Sequence, residues 1–207
     1  NTSFVYRIAD KTLCIPDLFE NPRQTILTSA NQAQSVGLKH PAIPLPQNLY
    51  GALRPNSLGV DLANDSDLIN LDTTVQNLLQ QQWTAQPMGP NLADITAAME
   101  LTVNNPAQHN NVVGTVKEAS AEQVNQALTN ATNAQAAWIN TPKNERAACL
   151  NRAADLMESR IQELMVLLCR ESGKTYANAI AEVREAVDFL RYYAAQGINL
   201  PTTAQIE

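Results

Sequence analysis

Residues 144–195 read NERAACLNRAADLMESRIQELMVLLCRESGKTYANAIAEVREAVDFLRYYAA, and this stretch decides the fold of the region around it. Apolar residues recur in it at steps of three and four, which is the spacing of one face of an α-helix. Glu171-Ser172-Gly173-Lys174 is typical of a helix C-cap, because glycine adopts left-handed backbone without a steric penalty. We therefore predict two long amphipathic helices that meet at Gly173. Their apolar stripes are Leu150, Ala153, Met157, Ile161, Leu164 and Leu168 in the first, and Ile180, Val183, Val187, Leu190 and Ala194 in the second.

In the first third of the chain, the sequence pattern predicts short helices and a connector. The pattern predicts a helix over 22–36, ended by Gly37, with inward-facing residues Ile26, Leu27, Ala30 and Ala33. Residues 40–62 are rich in proline and glycine, and each proline disfavours helix in the residue before it, so we expect an extended connector there. The spacing of these prolines also fits a ligand of an SH3-type domain, an alternative that we rate far below a connector on composition.

The middle of the chain predicts one helix, a β-hairpin and a second helix. Asp65-Ser66-Asp67 supplies N-cap candidates for a helix that runs to about Trp83. Two short strands, Glu100–Val103 and Asn111–Val116, are expected to join through a turn at 104–106. Ser120 and Gln123 form a capping box that opens a helix over 121–138. Its core-facing residues are predicted to be Val124, Ala127, Leu128, Ala131 and Trp138.

Composition excludes several classes of protein. The chain has 207 residues, 44% of them hydrophobic and 16% charged, so it is long enough to bury a core. Its net charge of −6 argues against a general surface for nucleic acids or anionic membranes. No apolar run approaches the ~18 residues of a membrane span. The sequence starts at Asn1 without a methionine or a signal peptide, so we expect a part of a longer polypeptide.

The residue types that could carry chemistry form no convincing site. Gly173-Lys174-Thr175 suggests a phosphate-binding loop, but that motif needs glycine where Leu168 stands and a strand where a helix is predicted. Cys14, Cys149 and Cys169 are scattered, without CxxC spacing, which favours reduced and unreactive thiols. His40 and His109 lie far apart and show no metal-binding spacing.

A charge cluster in the second long helix has helical spacing. Arg184 can pair with Asp188, and Asp188 with Arg191, which is typical of a solvated helix face. Glu182 and Glu185 belong to the same cluster. From the residues alone we predict a mainly α-helical chain with a small β-hairpin, and no catalytic constellation.

Several stretches, in the right order, resemble the aldehyde dehydrogenase family. Asn104-Asn105-Pro106 and the following Val112-Val113-Gly114-Thr115-Val116 resemble the opening hairpin of that family. The capped helix that reaches Trp138, the pair Glu145-Arg146, and the ending Glu171-Ser172-Gly173-Lys174 follow in its order. The string from Ala179 to Ala194 is similar to the branch that oxidises glutamate semialdehyde.

The front of the chain resembles bifunctional proline utilization proteins of the PutA type. Asn1-Thr2-Ser3-Phe4-Val5 and Arg7-Ile8-Ala9-Asp10 are similar to the end of their proline dehydrogenase domain. Ile43-Pro44-Leu45-Pro46 and Leu49-Tyr50-Gly51 are similar to the connector that follows it. The resemblance divides the chain into a dehydrogenase tail (1–20), a connector (21–95) and the N-terminal helical part of the aldehyde dehydrogenase domain (96–207).

The resemblance implies what the whole protein does. Its first domain is a β/α barrel that uses FAD to oxidise proline to pyrroline-5-carboxylate. Its second has the α/β aldehyde dehydrogenase fold and uses NAD to oxidise glutamate semialdehyde to glutamate through a cysteine thiohemiacetal. The parent is expected to be a homo-oligomer in the cytoplasm, with peripheral membrane association left open.

The family's working residues are not expected within this stretch. Its flavin barrel is expected before Asn1, and its catalytic asparagine, cysteine and general-base glutamate after Glu207, with most of the NAD surface. We therefore assign no catalytic, cofactor-binding or metal-binding residue here, and expect this chain alone to be inactive and to bind neither FAD nor NAD. Two alternatives stay open: a free-standing helical interaction module, and part of a single-function glutamate semialdehyde dehydrogenase.

Overall fold

The computed structural model describes Pro16, Phe19 and residues 21–33, 43–93 and 95–200. They fall into two compact units, residues 1–45 and residues 46–207, which are treated separately below. The segments predicted at 1–15, the end of the first helix beyond residue 33 and the residues after 200 lie outside the described part.

The described helix of the first unit is α1, Pro22–Ala33. It begins where predicted, because the side chain of Asn21 accepts a bond from the Arg23 backbone N–H at 3.0 Å and proline suits the first turn. The inward orientation predicted for Ile26 and Leu27 is wrong, since both are more than half exposed. The helix is rich in Gln, Ser, Thr and Asn, and two adjacent aliphatic residues do not make a stripe wide enough to bury.

Among the elements that the structure describes, the helices other than α1 and the three strands lie in the second unit. A 3-10 turn at Pro46–Asn48 precedes α2 (Asp65–Leu78), and β1 (Trp83–Ala85), β2 (Met99–Asn105) and β3 (Gln108–Glu118) follow. The chain then forms α3 (Ala121–Asn140), α4 (Lys143–Ser159), α5 (Ile161–Ser172) and α6 (Tyr176–Asn199). The prediction of a mainly α-helical chain with a small hairpin is confirmed.

The hairpin is longer than predicted and belongs to a three-stranded sheet of order β1-β3-β2. Strands β2 and β3 pair antiparallel, and β1, which the sequence did not predict, pairs parallel with β3. Gly114 on β3 lies beside Trp83 of β1, its partner in the parallel pairing. A Cβ atom at this position would come within 1.9 Å of the Trp83 carbonyl oxygen, so only glycine permits this approach of the two backbones.

Helix α2 begins and ends differently from the prediction. Its N-cap is Asn64, whose side chain accepts from the Ser66 backbone N–H at 2.9 Å, one residue before the predicted candidates. The helix ends at Leu78, and Trp83 lies in β1 instead. Of its apolar residues, Leu71 and Val75 are buried, whereas Leu68 is exposed.

The two long helices predicted over residues 144–195 are in fact three, α4, α5 and α6. Gly173 ends α5 with φ 66° and ψ 24°, which confirms the predicted left-handed cap. The first predicted helix, however, is broken at Arg160, whose φ of −115° and ψ of 20° leave the helical region. The Arg160 side chain turns onto Glu163 in the next helix through two bonds of 2.9 Å. No glycine or proline marks this break in the sequence.

The core lies between these helices and α2. One cluster joins Leu71 and Val75 of α2 to α5 and α6, and a second joins Ala154 of α4 to Val183 and Val187 of α6. The α6 stripe is confirmed, since Ile180, Val183, Val187 and Ala194 are buried and Leu190 is half-buried. The α4–α5 stripe is half-buried, and the most buried side chains there are Ala154, Met165 and Val166.

Helix α3 has the predicted capping box, but its core-facing assignment is wrong. Ser120 accepts from the Gln123 backbone N–H, and the Gln123 side chain accepts from the Ser120 backbone N–H. The apolar residues of the predicted stripe are exposed: Val124, Ala127, Leu128, Ala131 and Trp138. No described element packs along this face, so its amphipathic pattern has no partner within residues 46–93 and 95–200.

Candidate functional site: polar clusters around helices α4 to α6

The largest polar cluster joins residues 54–58, which we call the strap, to helix α6. One oxygen of Asp188 accepts bonds from the Arg54 guanidinium at 2.8 Å and from the Ser57 backbone N–H at 3.0 Å. Its other oxygen accepts from the Ser57 hydroxyl at 2.7 Å. Arg184, one turn earlier on α6, donates from Nε to the same hydroxyl at 3.2 Å. The strap is therefore held on α6 by one carboxylate with three donors.

A second carboxylate holds the next residue of the strap. Glu158 of α4 accepts from the Leu58 backbone N–H at 2.5 Å and from both terminal nitrogens of Arg191, at 2.9 Å and 2.7 Å. Arg191 also donates to Asp155 at 2.9 Å and is only 5% exposed. Because two neighbouring N–H groups of the strap meet carboxylates from two different helices, the strap, α4 and α6 form one hydrogen-bonded assembly.

The electrostatics of this assembly favour ionised groups. Burial raises the pKa of Asp188, but the bonds from Ser57 and Arg54 outweigh it and hold that pKa below its usual value. The bond to Glu158 raises the pKa of Arg191 against the opposing effect of burial, with Asp155 adding to the rise. Such an arrangement fixes geometry, and it supplies no proton donor or acceptor near neutral pH.

These contacts correct the predicted pairing of the charge cluster in α6. The sequence predicts Arg184 with Asp188 and Asp188 with Arg191 on a solvated face. Instead Asp188 binds the strap and Arg191 binds α4, each over a long distance in sequence. Glu182 pairs with Lys174 at 2.8 Å. The helical neighbours do not pair because better-placed partners from other segments take both groups.

A second cluster is built on Arg170 at the end of α5. Its guanidinium donates to the carbonyl oxygens of Leu78, Gln81 and Val112, and to the side chain of Asn111. It also lies over the Trp83 ring at 5.2 Å. These acceptors come from the end of α2, the segment before β1, and β3. Arg170 therefore ties three segments to α5 while burial lowers its pKa.

The cysteines and histidines considered as nucleophiles or metal ligands lie in different surroundings. Burial raises the pKa of the half-buried Cys169 thiol, which opposes thiolate formation. Cys149 is exposed and its sulfur accepts from Arg152 at 3.1 Å. His109 lies exposed in β3, and no group of three His, Cys, Asp or Glu in the described residues could hold a metal. Cys14 and His40 lie outside the described residues.

Gly173-Lys174-Thr175 is a junction between helices. Gly173 caps α5, and the Thr175 side chain caps α6 by accepting from the Asn178 backbone N–H at 3.3 Å. Lys174 is paired with Glu182, so its charge is not free for a phosphate. This agrees with the sequence argument against a nucleotide loop.

A cavity of about 250 Å³ lies between the segment before β2 and helix α3. The Gln123 side chain in its lining already donates to the carbonyls of Leu92 and Ile95, at 3.0 and 3.1 Å. Lys117 is its single charged lining residue within the described part of the chain. The described part of the cavity lining thus offers no pair of reacting groups.

The strap contacts were missed by reasoning from sequence. Nothing local marks Arg54 or Ser57 as partners of a helix more than a hundred residues away. Arg191 did carry a signal, because it falls on the same helical face as Val187 and Ala194, and an arginine there must find buried acceptors.

No described helix is long and apolar enough to cross a membrane.

Comparison with known proteins gives a consistent picture. The sequence pattern of the aldehyde dehydrogenase family matches residues 95–206, just over half of the chain. The chain is 51% identical over 197 residues to the bifunctional protein PutA of Klebsiella aerogenes. This alignment covers 95% of the present chain and 15% of the Klebsiella protein. The chain thus spans about 15% of the length of such curated relatives.

Solved structures extend the comparison to the fold. A crystal structure of bifunctional proline utilization A superimposes with a TM-score of 0.60 at 35% identity, covering 97% of this chain and 17% of that one. A mutant of Thermus thermophilus 1-pyrroline-5-carboxylate dehydrogenase gives 0.61 at 26% identity, covering 75% of this chain and 28% of that one. The likeness to PutA therefore includes nearly all of the chain.

Proposed function

This chain belongs to the aldehyde dehydrogenase family, and we propose that it joins the two catalytic domains of a bifunctional proline-catabolic enzyme. In this proposal residues 1–20 end a proline dehydrogenase domain, residues 21–95 connect, and residues 96–207 open the aldehyde dehydrogenase domain. The whole protein oxidises proline to pyrroline-5-carboxylate with FAD and glutamate semialdehyde to glutamate with NAD. It is a cytoplasmic homo-oligomer.

One observation carries the proposal. The identity with PutA extends over 95% of the chain, whereas the aldehyde dehydrogenase pattern begins only at residue 95. The residues ahead of that point, including the strap, are therefore shared with a bifunctional protein. The single-function dehydrogenase structure covers 75% of the chain against 97% for the bifunctional one, which is why we place it second.

The strap gives the connector a physical role. The carboxylates of Asp188 and Glu158 fix its backbone on helices that belong to the matched family region. The connector is thereby attached to the aldehyde dehydrogenase domain over residues 54–58. We infer that it delivers the chain from the proline dehydrogenase domain at a defined place, which favours passage of the intermediate between the two sites.

The proposal places neither cofactor on the described residues of this chain. A dinucleotide needs a glycine-rich turn between a strand and a helix, and the Gly173 turn lies between two helices with its lysine already paired. Burial also raises the pKa of the Cys169 thiol, which opposes its use as a nucleophile. The proposal therefore assigns FAD, NAD and the catalytic residues to other parts of the polypeptide.

The test is an assay of the product of the whole reading frame that contains this chain. We expect proline-dependent reduction of an artificial electron acceptor and semialdehyde-dependent reduction of NAD in the same purified protein. The isolated 207-residue chain is expected to catalyse neither. Its turnover of either substrate would contradict the assignment of the catalytic residues.

The outcomes separate the alternatives. A product that reduces NAD with the semialdehyde but does not oxidise proline is a single-function dehydrogenase. A product with neither activity favours the helical interaction module, for which the exposed face of α3 is the supporting observation.

A further inference from the structure

Arg146 in the first turn of α4 stands apart from the other arginines that the structure describes in residues 46–200. Its side chain is half-buried, and its Nε atom is fully buried with no hydrogen-bond acceptor among the described residues. A buried donor left without an acceptor opposes folding, and a guanidinium keeps its charge at every accessible pH. The position therefore calls for an acceptor that the described part of the chain does not provide.

The other half-buried or buried arginines show what such a group normally has here. Arg54 and Arg191 bind the carboxylates of Asp188 and Glu158. Arg170 instead has four oxygen acceptors. Each of these side chains is satisfied by a segment distant in sequence. Arg146 is also withdrawn from solvent at Nε but lacks the corresponding partner.

The location of Arg146 follows from two contacts between α4 and α6. Asp155 and Glu158 of α4 meet Arg191, and Lys143 meets the carbonyl oxygen of Leu200, so the helices run antiparallel. Arg146 therefore lies toward the C-terminal end of α6. That end has no basic residue of its own in the last turn, and Lys143 supplies a positive charge from the neighbouring helix.

We propose that Arg146 is a docking cation that binds a carboxylate from another segment of the same aldehyde dehydrogenase domain, outside the described residues. A carboxylate matches it better than a carbonyl because it satisfies Nε and a terminal nitrogen together and compensates the charge. The proposal rests on the proposed function only in requiring further polypeptide of that domain. It assigns Arg146 a positioning role and no part in the chemistry.

The test compares variants of the whole protein by thermal unfolding of the aldehyde dehydrogenase domain. Arg146→Met keeps the aliphatic stem and removes the charge, and we expect it to lower the unfolding midpoint by about 4 °C or more. Arg146→Lys should recover part of this loss. The matched control Arg152→Met lies further along the same helix, is exposed, and should change the midpoint by less than about 1 °C.

Ionic strength identifies the partner. If a carboxylate is bound, the difference between wild type and Arg146→Met should shrink as salt rises from about 0.05 M to about 0.5 M, because salt screens ion pairs. A difference that is independent of salt would assign the acceptor to a neutral group and overturn the carboxylate. A Met variant as stable as wild type would overturn the proposal altogether, since Nε would then be unpaired in the whole protein too.

Chemical modification gives a second measurement that needs no variant. Phenylglyoxal labelling followed by peptide mass mapping should modify Arg146 in the whole protein at least about tenfold more slowly than Arg152. Equal rates would contradict the docking role. Both dehydrogenase activities are measured on the same preparation, so their absence would reject the proposed function while leaving the docking result to stand by itself.

Discussion

Helices α3 and α6 are of similar length and pattern but differ in burial. Helix α3 has 20 residues and buries one of them, Gln123, whereas α6 has 24 residues and buries six. Both carry apolar side chains at helical spacing and both begin with a side-chain cap. The buried residues of α6 are Ala179, Ile180, Val183, Val187, Arg191 and Ala194.

The difference lies in the neighbours. Helix α6 packs on α4 and α5 and binds the strap, so its buried apolar and charged residues find partners from distant segments. Helix α3 is attached mainly through polar bonds, from Gln123 to two carbonyls and from Asn130 to the Pro90 carbonyl. An amphipathic pattern thus predicts that a helix forms, while burial depends on whether its partner lies in the same stretch of chain.

The most severe test of this comparison removes the charge buried under α6. Arg191→Met should destabilise the chain by about 3–5 kcal/mol, because Glu158 would be left largely buried without its ion pair. The free energy of unfolding is measured by urea denaturation. Arg152→Met, an exposed arginine on α4, serves as the control and should stay within about 0.5 kcal/mol. A loss below about 1 kcal/mol for Arg191→Met would show that α6 does not depend on this pair.

A smaller effect is expected at the strap. Asp188→Asn keeps the size of the side chain but replaces three charge-assisted bonds, which we expect to cost about 1.5 kcal/mol in urea denaturation. Limited proteolysis should also cut the strap region faster. Glu185→Gln, an exposed change one turn away, is the matched control.

The same variant has a defined pH dependence. Because the folded pKa of Asp188 is lowered, its stabilisation is fully present above the unfolded pKa of about 3.9 and is lost as the pH falls through the folded value. The stability difference between wild type and Asp188→Asn should therefore shrink below about pH 4. A difference that stays constant from about pH 7 to about pH 3 would exclude Asp188 as its source.

The smallest effect is expected on α3. Leu128→Asn should change the free energy of unfolding by less than about 0.5 kcal/mol, because Leu128 is 62% exposed. It should also lower the binding of a hydrophobic dye, since it interrupts an exposed apolar face. Leu190→Asn on α6, which is half-buried against Val183 and Val187, should be clearly more destabilising. Equal losses for the two variants would mean that α3 is buried after all.

The sequence predicted local features well and long-range ones poorly. Gly173 and the capping box at Ser120 were located correctly because their signals lie within a few residues. The break at Arg160 was missed because the residue has no unusual backbone preference, and its partner Glu163 is compatible with a continuous helix. Strand β1 was missed because three residues, Trp83–Ala85, are too few for a pattern and pair with a strand some thirty residues later.

The polar clusters show the same limit. Helical spacing suggested that Asp188 pairs with Arg184 or Arg191, and such pairs are worth only a few tenths of a kcal/mol. Partners from the strap and from α4 outweigh them. Only Arg191 could have been singled out beforehand, because its place on an apolar face requires buried acceptors.

Positions 58 and 158 differ in the substitutions that the hydrogen bond between Glu158 and the Leu58 backbone N–H allows. The strap contributes only its main chain there, and the Leu58 side chain is 52% exposed. Nearly every amino acid offers the same N–H, so position 58 can drift freely through substitutions other than proline. Glu158 has no such freedom, because it serves Leu58 and Arg191 together. Mutational tolerance at this contact is therefore one-sided.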